Sequence, residues 1–465
     1  MEMFDFIIKG GNVIDPANNV RSVMDIGVKD GKVAAVAPEL GGCDNIIDAS
    51  GKMVMPGGID SHLHLRVGYS GYPMVARTGI TTAIDLCGPL DTILGAIKGG
   101  HGCGLNIAVV DMIEPDKYGG PDVSKETVDN HLNTAMEHGA LGIKLLGGHY
   151  PLTPKASAYA IEAANKAKVM ISFHVGTTEN RSNLLGVREA VELCGDNAMI
   201  LPHVNAYCRG AVLPSYMDEV AEMFHILRTK KNIISDSHLA VPNACTGLCI
   251  NGEIHDVIVK NCLKQFGYDA TPAALEQAIL NGVAKVYKVL EDDTILIERE
   301  EALEYWKAAD TNCKVSFPAN LDTVACLFML EREKKGGEFL VPSAVTDGGF
   351  YARNDLIFRA LQFYHLGYIS LEDVVKKVSL NPARLYNLVN KGHLGVGADA
   401  DITVVDLPRS RPVMSFAMGK MLMKDGNIVG KGATMLVTDA ASAFCKKNDI
   451  SYDIVDVTGS TLYKK

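Results

Sequence analysis

The chain has 465 residues, 47% apolar and 22% charged, enough for one large domain with a sizeable core and a smaller companion. A formal net charge of -10 with no Lys/Arg run excludes a nucleic-acid footprint, and no apolar window nears the roughly 20 residues that span a bilayer. The eleven cysteines are scattered without a CxxC pair, and the acidic start MEMFDFIIKGG is no secretory signal, so reduced thiols and a cytoplasmic location are expected.

Residues 4 to 55 read as short strands, FDFIIKGGNVID, MDIGVKDGKVAAVA and NIIDASGKMVM, punctuated by Gly-Gly, Asp-Gly and Ser-Gly turns. From Ile59 to about Asn390 strands alternate with helical stretches, the pattern of βα repeats around a parallel sheet. The strand candidates are 59–64, 80–86, 105–111, 141–146, 168–174, 197–203, 231–236 and 340–347. Eight in sequence predict an α/β fold, a (β/α)8 TIM-type barrel over residues 59–394. An open doubly wound sheet is the alternative, but no GxGxxG follows a strand to support it.

The stretch 245–337 is too long for one βα unit and is expected to be an insertion before the eighth strand, helical, either covering the site or serving as scaffold. After Gly395 the text returns to short strands, GADADITVVDL and PVMSFAMGKMLMKDGNIVG. Residues 1–58 and 395–465 are therefore expected to form one composite β-sandwich from both chain ends.

The chemistry gathers at strand ends, where barrel active sites lie. His62 and His64, in PGGIDSHLHLR, are two apart on the first strand and so share one face. The fourth strand ends near Lys144, the fifth in His174, the sixth in His203 and the eighth in Asp347. Four histidines and a carboxylate can hold two divalent ions, with zinc the first choice and other metals open. Two ions about 3.5–4 Å apart lower the pKa of a bridging water and polarise a carbonyl. Asp347 is placed to take the proton from that water and deliver it to a leaving nitrogen.

Arg66, two residues past His64, suits a substrate carboxylate bidentately, and Asn205, Arg209 and His149 are further candidate substrate contacts. Asp236 and His238 end the seventh strand and are read as core or ligand-orienting groups. Asp60 reads as a strand-end cap, and His101, His138 and His255 as surface or packing residues. Asp399 and Asp401 fall in a turn entering the sandwich and read as structural.

The order HxH, Lys, His, His, Asp, together with NPARLYNLVNKGHLGVGADADITVVD, resembles the amidohydrolase superfamily over essentially the whole chain, most weakly across 245–337. The resemblance implies a metal-dependent hydrolase of amide C–N bonds, and a carboxylated Lys144 bridging the two ions. A neutral amine there accords with burial among cations, which disfavours the ammonium form. Arg66 is similar to the carboxylate-binding arginine of dihydroorotases, but the Gly-Gly-Phe-Tyr after Asp347 and the long insertion depart from that family. GITTAIDLCGP and GALGIKLLGGHYPLTP resemble D-aminoacylases, in which a cysteine matching Cys87 is a metal ligand and the lysine is absent. Cys87 is thus the alternative ligand to Lys144.

The expected activity is hydrolysis of a small, carboxylate-bearing cyclic amide or ureide. The alternatives are an N-acyl amino acid deacylase, a heterocycle deaminase using one metal, and a catalytically silent scaffold. The expected partners are a small-molecule substrate and, by the family's habit, further copies in a homodimer or homotetramer.

Overall fold

The computed structural model describes residues 4–65, 68–334 and 336–464. Strands Phe6–Asp15, Val20–Lys29 and Lys32–Ala37 form an antiparallel meander. Asp30 and Gly31 link the last two with φ of 50° and 75°, the backbone a two-residue hairpin loop requires. Strand Met53–Pro56 runs parallel to the first of these and antiparallel to Ile402–Asp406. Residues 402–428 thereby extend the same sheet, so both chain ends build one β unit. Its core joins Phe6, Val13 and Val28 to Val404 and Phe416, with the Phe6 and Phe416 rings stacked at 5.3 Å.

The middle of the chain supplies eight parallel strands: β1 (Gly58–His64), β2 (Ile80–Asp85), β3 (Asn106–Val109), β4 (Gly142–Leu146), β5 (Met170–His174), β6 (Met199–Leu201), β7 (Ile233–His238) and β8 (Ser343–Val345). They overlap the eight expected from the sequence. Their near-continuous apolar runs suit strands covered on both faces. Helices intervene, as at Lys125–His138, which starts on the Ser124 side-chain cap and ends on left-handed Gly139. The helix buries Val128, Leu132 and Ala135, and the first two join the core formed around Ile143 and Ile171.

Two ladders result, β1–β2–β3 and β4–β5–β6–β7–β8. They are joined by chain continuity: Asp111–Met112, just past β3, pairs with β4, and Gly348–Gly349, just past β8, pairs with β1. Beside β3 itself lies Thr434–Val437, parallel to it, with Tyr452–Ile454 beyond. Residues 434–454, part of the stretch expected to complete the sandwich, thus pack on the parallel core.

Between β7 and β8 the chain builds a unit with its own core around Trp306, Phe317, Leu263 and Ile279. Three helices, Val257–Gln265, Pro272–Leu280 and Arg299–Ala308, accompany a four-stranded sheet of Cys245–Thr246, Lys314–Ser316, Lys285–Val289 and Thr294–Ile297. The expectation of a helical insertion is corrected to a mixed one. Its strands are two to five residues long, too short for alternation to stand out in the sequence.

Candidate metal centre

β1 ends with His62 buried and His64 at the edge of a cavity of about 550 Å3. The exit of β8 is laced to it by main-chain bonds, Asp347 N to His62 O and Phe350 N to His64 O, both 2.8 Å. That closeness demands glycine: Gly349 has φ of 74°, and a β-carbon there would lie 2.3 Å from the His64 carbonyl oxygen. Asp347 is brought against the histidine pair as a consequence. Its Oδ1 is 2.8 Å from His64 Nε2 and 3.5 Å from His62 Nε2, and ligand atoms of all three lie within 4.8 Å of one another.

The next histidines abut this group. The His62 and His203 ring centroids are 5.0 Å apart, and His203 Nε2 is 2.9 Å from His174 Nδ1. Lys144 is fully buried, its Nζ donating to Ser172 Oγ at 3.0 Å. Burial pushes its amine down to about 8, against the pull of Asp236, Asp347 and Cys87. Cys87 packs with Met112 and Leu146 and interacts with His64. Lysine and cysteine, the two candidate bridges, are close enough to influence each other's charge.

Charge here follows from burial and pairing. Burial holds His62, His174 and His203 well below the usual imidazole range, leaving neutral rings. Buried Nδ1 atoms of His62 and His203 have no hydrogen-bond partner. For His64 burial is outweighed by the bond to Asp347, which lifts it to about 9. Asp347 is half-buried, and Arg353 and His64 outweigh desolvation to keep it well below the carboxylate range. Neutral imidazoles, orphaned nitrogens and one carboxylate are a donor set that fits divalent ions.

Other expected residues fall as follows. Arg209 lines the cavity, its Nε and Nη2 donating to Asn320 Oδ1 of the insertion at 3.2 and 2.6 Å. His149 also lines it, 5.8 Å ring to ring from His174. Asn205 is buried behind the site: its Oδ1 accepts from Ser237 Oγ and His238 N, and its Nδ2 lies 3.3 Å from His238 Nδ1. Arg66 lies outside the described residues. Asp236 Oδ1 accepts from His203 N at 2.6 Å and sits 3.5 Å from His62 Nδ1, so it orients the cluster. Asp60 binds the Thr346 hydroxyl and holds β8's exit to β1.

Sequence reasoning missed Arg353. It is buried and bonds Asp347 twice, Nη2 to Oδ2 at 2.6 Å and Nε to the carbonyl at 2.7 Å. Only a basic residue six positions past Asp347 hinted at it, and nothing local says which way that side chain turns. His255, read as surface or packing, lines the cavity with Thr246, Asp256 and Asn261 of the insertion.

Known proteins resemble this chain in part of its sequence and in its fold. The amidohydrolase family model matches residues 345–430. Allantoinase of Escherichia coli O1:K1 is 44% identical over 91 residues, 18% of this chain and 20% of that protein, so the match spans about a fifth of the relative. The N-acyl-D-glutamate deacylase of Bordetella bronchiseptica, solved with zinc and a phosphonate inhibitor, is 15% identical, with TM-score 0.65 over 93% of this chain and 99% of that one. A D-hydantoinase is likewise 15% identical, with TM-score 0.59 over 98% and 99%. At such identities the likeness is one of fold. The sequence likeness to amidohydrolases thus covers residues 345–430, and the rest of the chain shares their fold.

Proposed function

We propose that the protein hydrolyses a C–N amide bond in a small carboxylate-bearing molecule, a cyclic amide or ureide ahead of an N-acyl amino acid. The carrying observation is that His62, His64 and Asp347 converge within 4.8 Å while His174, His203 and Lys144 close around them. The parallel strands are read as a closed (β/α)8 barrel, supported by the continuity of segments 106–112 and 343–349 through both ladders.

His62, His64 and Asp347 would hold one divalent ion and His174 and His203 a second, both zinc in the first instance, with carboxylated Lys144 between them. Such ions supply an acidified water and a polarised carbonyl. Hydrolysis of the amide would join a water oxygen to the carbonyl carbon and break the C–N bond. Asp347 would take the proton from the attacking water and pass it to the departing nitrogen. Arg209, braced by Asn320, receives the carboxylate, with Arg66 and His149 as further contacts. Residues of the insertion, among them Thr246, His255 and Asp256, wall part of the cavity.

The acyl amino acid reading is favoured by Cys87 beside His64. Two ions per chain support amide hydrolysis through the lysine bridge; one reopens the aminoacylase or deaminase pattern. The filled ligand positions stand against a silent scaffold. Assembly as a homodimer or homotetramer in the cytoplasm remains part of this proposal. The test is a turnover screen of metal-loaded protein against cyclic ureides, lactams and N-acyl D- and L-amino acids. Turnover of one class, abolished by chelation, is expected; turnover indifferent to chelation would sink the reading.

A further inference from the structure

Asp347 has φ of 52°, a left-handed backbone that costs a residue with a β-carbon about 1–2 kcal/mol and must be held by its surroundings. Its amide donates to His62 O, and its Oδ1 faces His64. The remaining two acceptors, the carbonyl and Oδ2, are both taken by Arg353. The third nitrogen of that guanidinium, Nη1, donates at 2.8 Å to the carbonyl of Pro242, in the segment that leads into the insertion. Arg353 is 6% exposed, so all three nitrogens are committed inside the protein.

The surrounding turn is closed in the same manner. Asn354 accepts from Gly349 N at 2.6 Å and donates to Gly349 O at 2.7 Å. Tyr351 sets its ring 6.0 Å from that of His64 and 5.5 Å from that of Tyr287 in the insertion. The segment from Asp347 to Asn354 is thus a loop whose internal bonds aim one carboxylate oxygen at the histidine pair.

We propose that Arg353 is a positioning residue: its planar fork fixes Asp347 by carbonyl and carboxylate together, and ties that residue to the entry of the insertion through Pro242. A lysine would keep the charge but not the fork, because one ammonium cannot make three divergent bonds from a single plane. A substrate anchor is the competing role, and the internal commitment of all three nitrogens opposes it. The geometry also assigns Asp347 its oxygens: Oδ2 belongs to Arg353, and Oδ1 faces the metal-binding side.

The inference rests on the proposed hydrolase only for its kinetic arm. Arg353→Ala and Arg353→Lys are prepared metal-free, and zinc affinity is measured by competition with a chromophoric chelator. Both variants are expected to bind zinc about 10- to 100-fold more weakly, as supports of metal ligands do. Guanidinium or methylguanidinium should restore most of that loss in Arg353→Ala and none in Arg353→Lys. With any substrate the screen identifies, kcat should fall while KM stays within about twofold.

Unchanged zinc affinity in folded variants, or a loss that guanidinium does not restore, would overturn the proposal. A raised KM with intact zinc binding would transfer Arg353 to substrate anchoring. Failure of both variants to fold would count against it as well, leaving a purely structural tie. A wild-type protein that turns over nothing in the screen would remove the hydrolase reading while the zinc competition still decided the role of Arg353.

Discussion

Nε2 of His203 stands 2.9 Å from Nδ1 of His174, and the two residues close neighbouring parallel strands. These two neutral rings, that of His203 lying 5.0 Å from that of His62, are a ready pair of ligands beside the first three. Replacing His203 with Ala is expected to lower bound zinc by one ion per chain and turnover by at least about a hundredfold. Metal analysis after dialysis checks it, and full retention of both ions would refute it.

Lys144 is fully buried, and its Nζ donates to Ser172 Oγ at 3.0 Å. Lys144→Ala should lose one or both ions and nearly all activity. Short carboxylic acids such as formate or propionate should restore a measurable part by standing in for a carbamate. If Lys144→Ala keeps its metals and activity, the bridge passes to Cys87, and Cys87→Ala becomes the damaging change.

Arg209 is held by two bonds to one oxygen of Asn320, an expensive way to place a guanidinium unless its outer edge has work. Arg209→Met is expected to raise KM about 10- to 100-fold with a smaller change in kcat, the loss of a charge-assisted bond of about 1.5–3 kcal/mol. Steady-state kinetics with a carboxylate substrate and its amide analogue would separate the effect, since the neutral analogue should be indifferent.

The β unit is pinned to the parallel core by a buried cation. Lys391 Nζ bonds Asp399 at 2.8 Å and Asp401 at 2.9 Å, and Asp401 also accepts from Asn106 of β3. Lys391→Met leaves buried Asp401 without a cation while Asp399 keeps its ion pair with Lys32, and should cost about 3–5 kcal/mol. Urea unfolding measures it; a loss under 1 kcal/mol would disprove the assignment.

Lys377 offers a pH signature away from the metal centre. Burial, aided by Arg332, pushes its amine down to about 7, while Asp373 pulls the other way. Its folded pKa lies below its unfolded one, so between about pH 7 and 10 the unfolded chain binds the extra proton. Stability from this group therefore rises with pH across that window, at up to about 1.4 kcal/mol per unit, and is lost as pH falls toward 7. The difference between wild type and Lys377→Met in denaturant unfolding should change with pH accordingly, and a pH-independent difference would contradict it.

What could be read from the chain alone was what local pattern carries. His62 and His64 share a strand face because the period of a strand is two, and the apolar runs before Lys144, His174 and His203 mark strands of the parallel core. The two-residue turn at Asp30-Gly31 and the Ser124 cap are equally local, set by φ preference and by one side-chain oxygen. Arg353 gripping Asp347, Asp236 behind His203, and Arg209 braced on Asn320 depend on where distant segments come to rest, which no short-range rule encodes. The same holds for Thr434–Val437 beside β3 and for the sheet inside the insertion, whose pairings join residues tens of positions apart. Sequence determined the ligand types and the strands that bear them, through periodicity and backbone preference; tertiary packing alone decided their distances, their protonation and which basic residue holds the carboxylate, because burial and long-range contact set those.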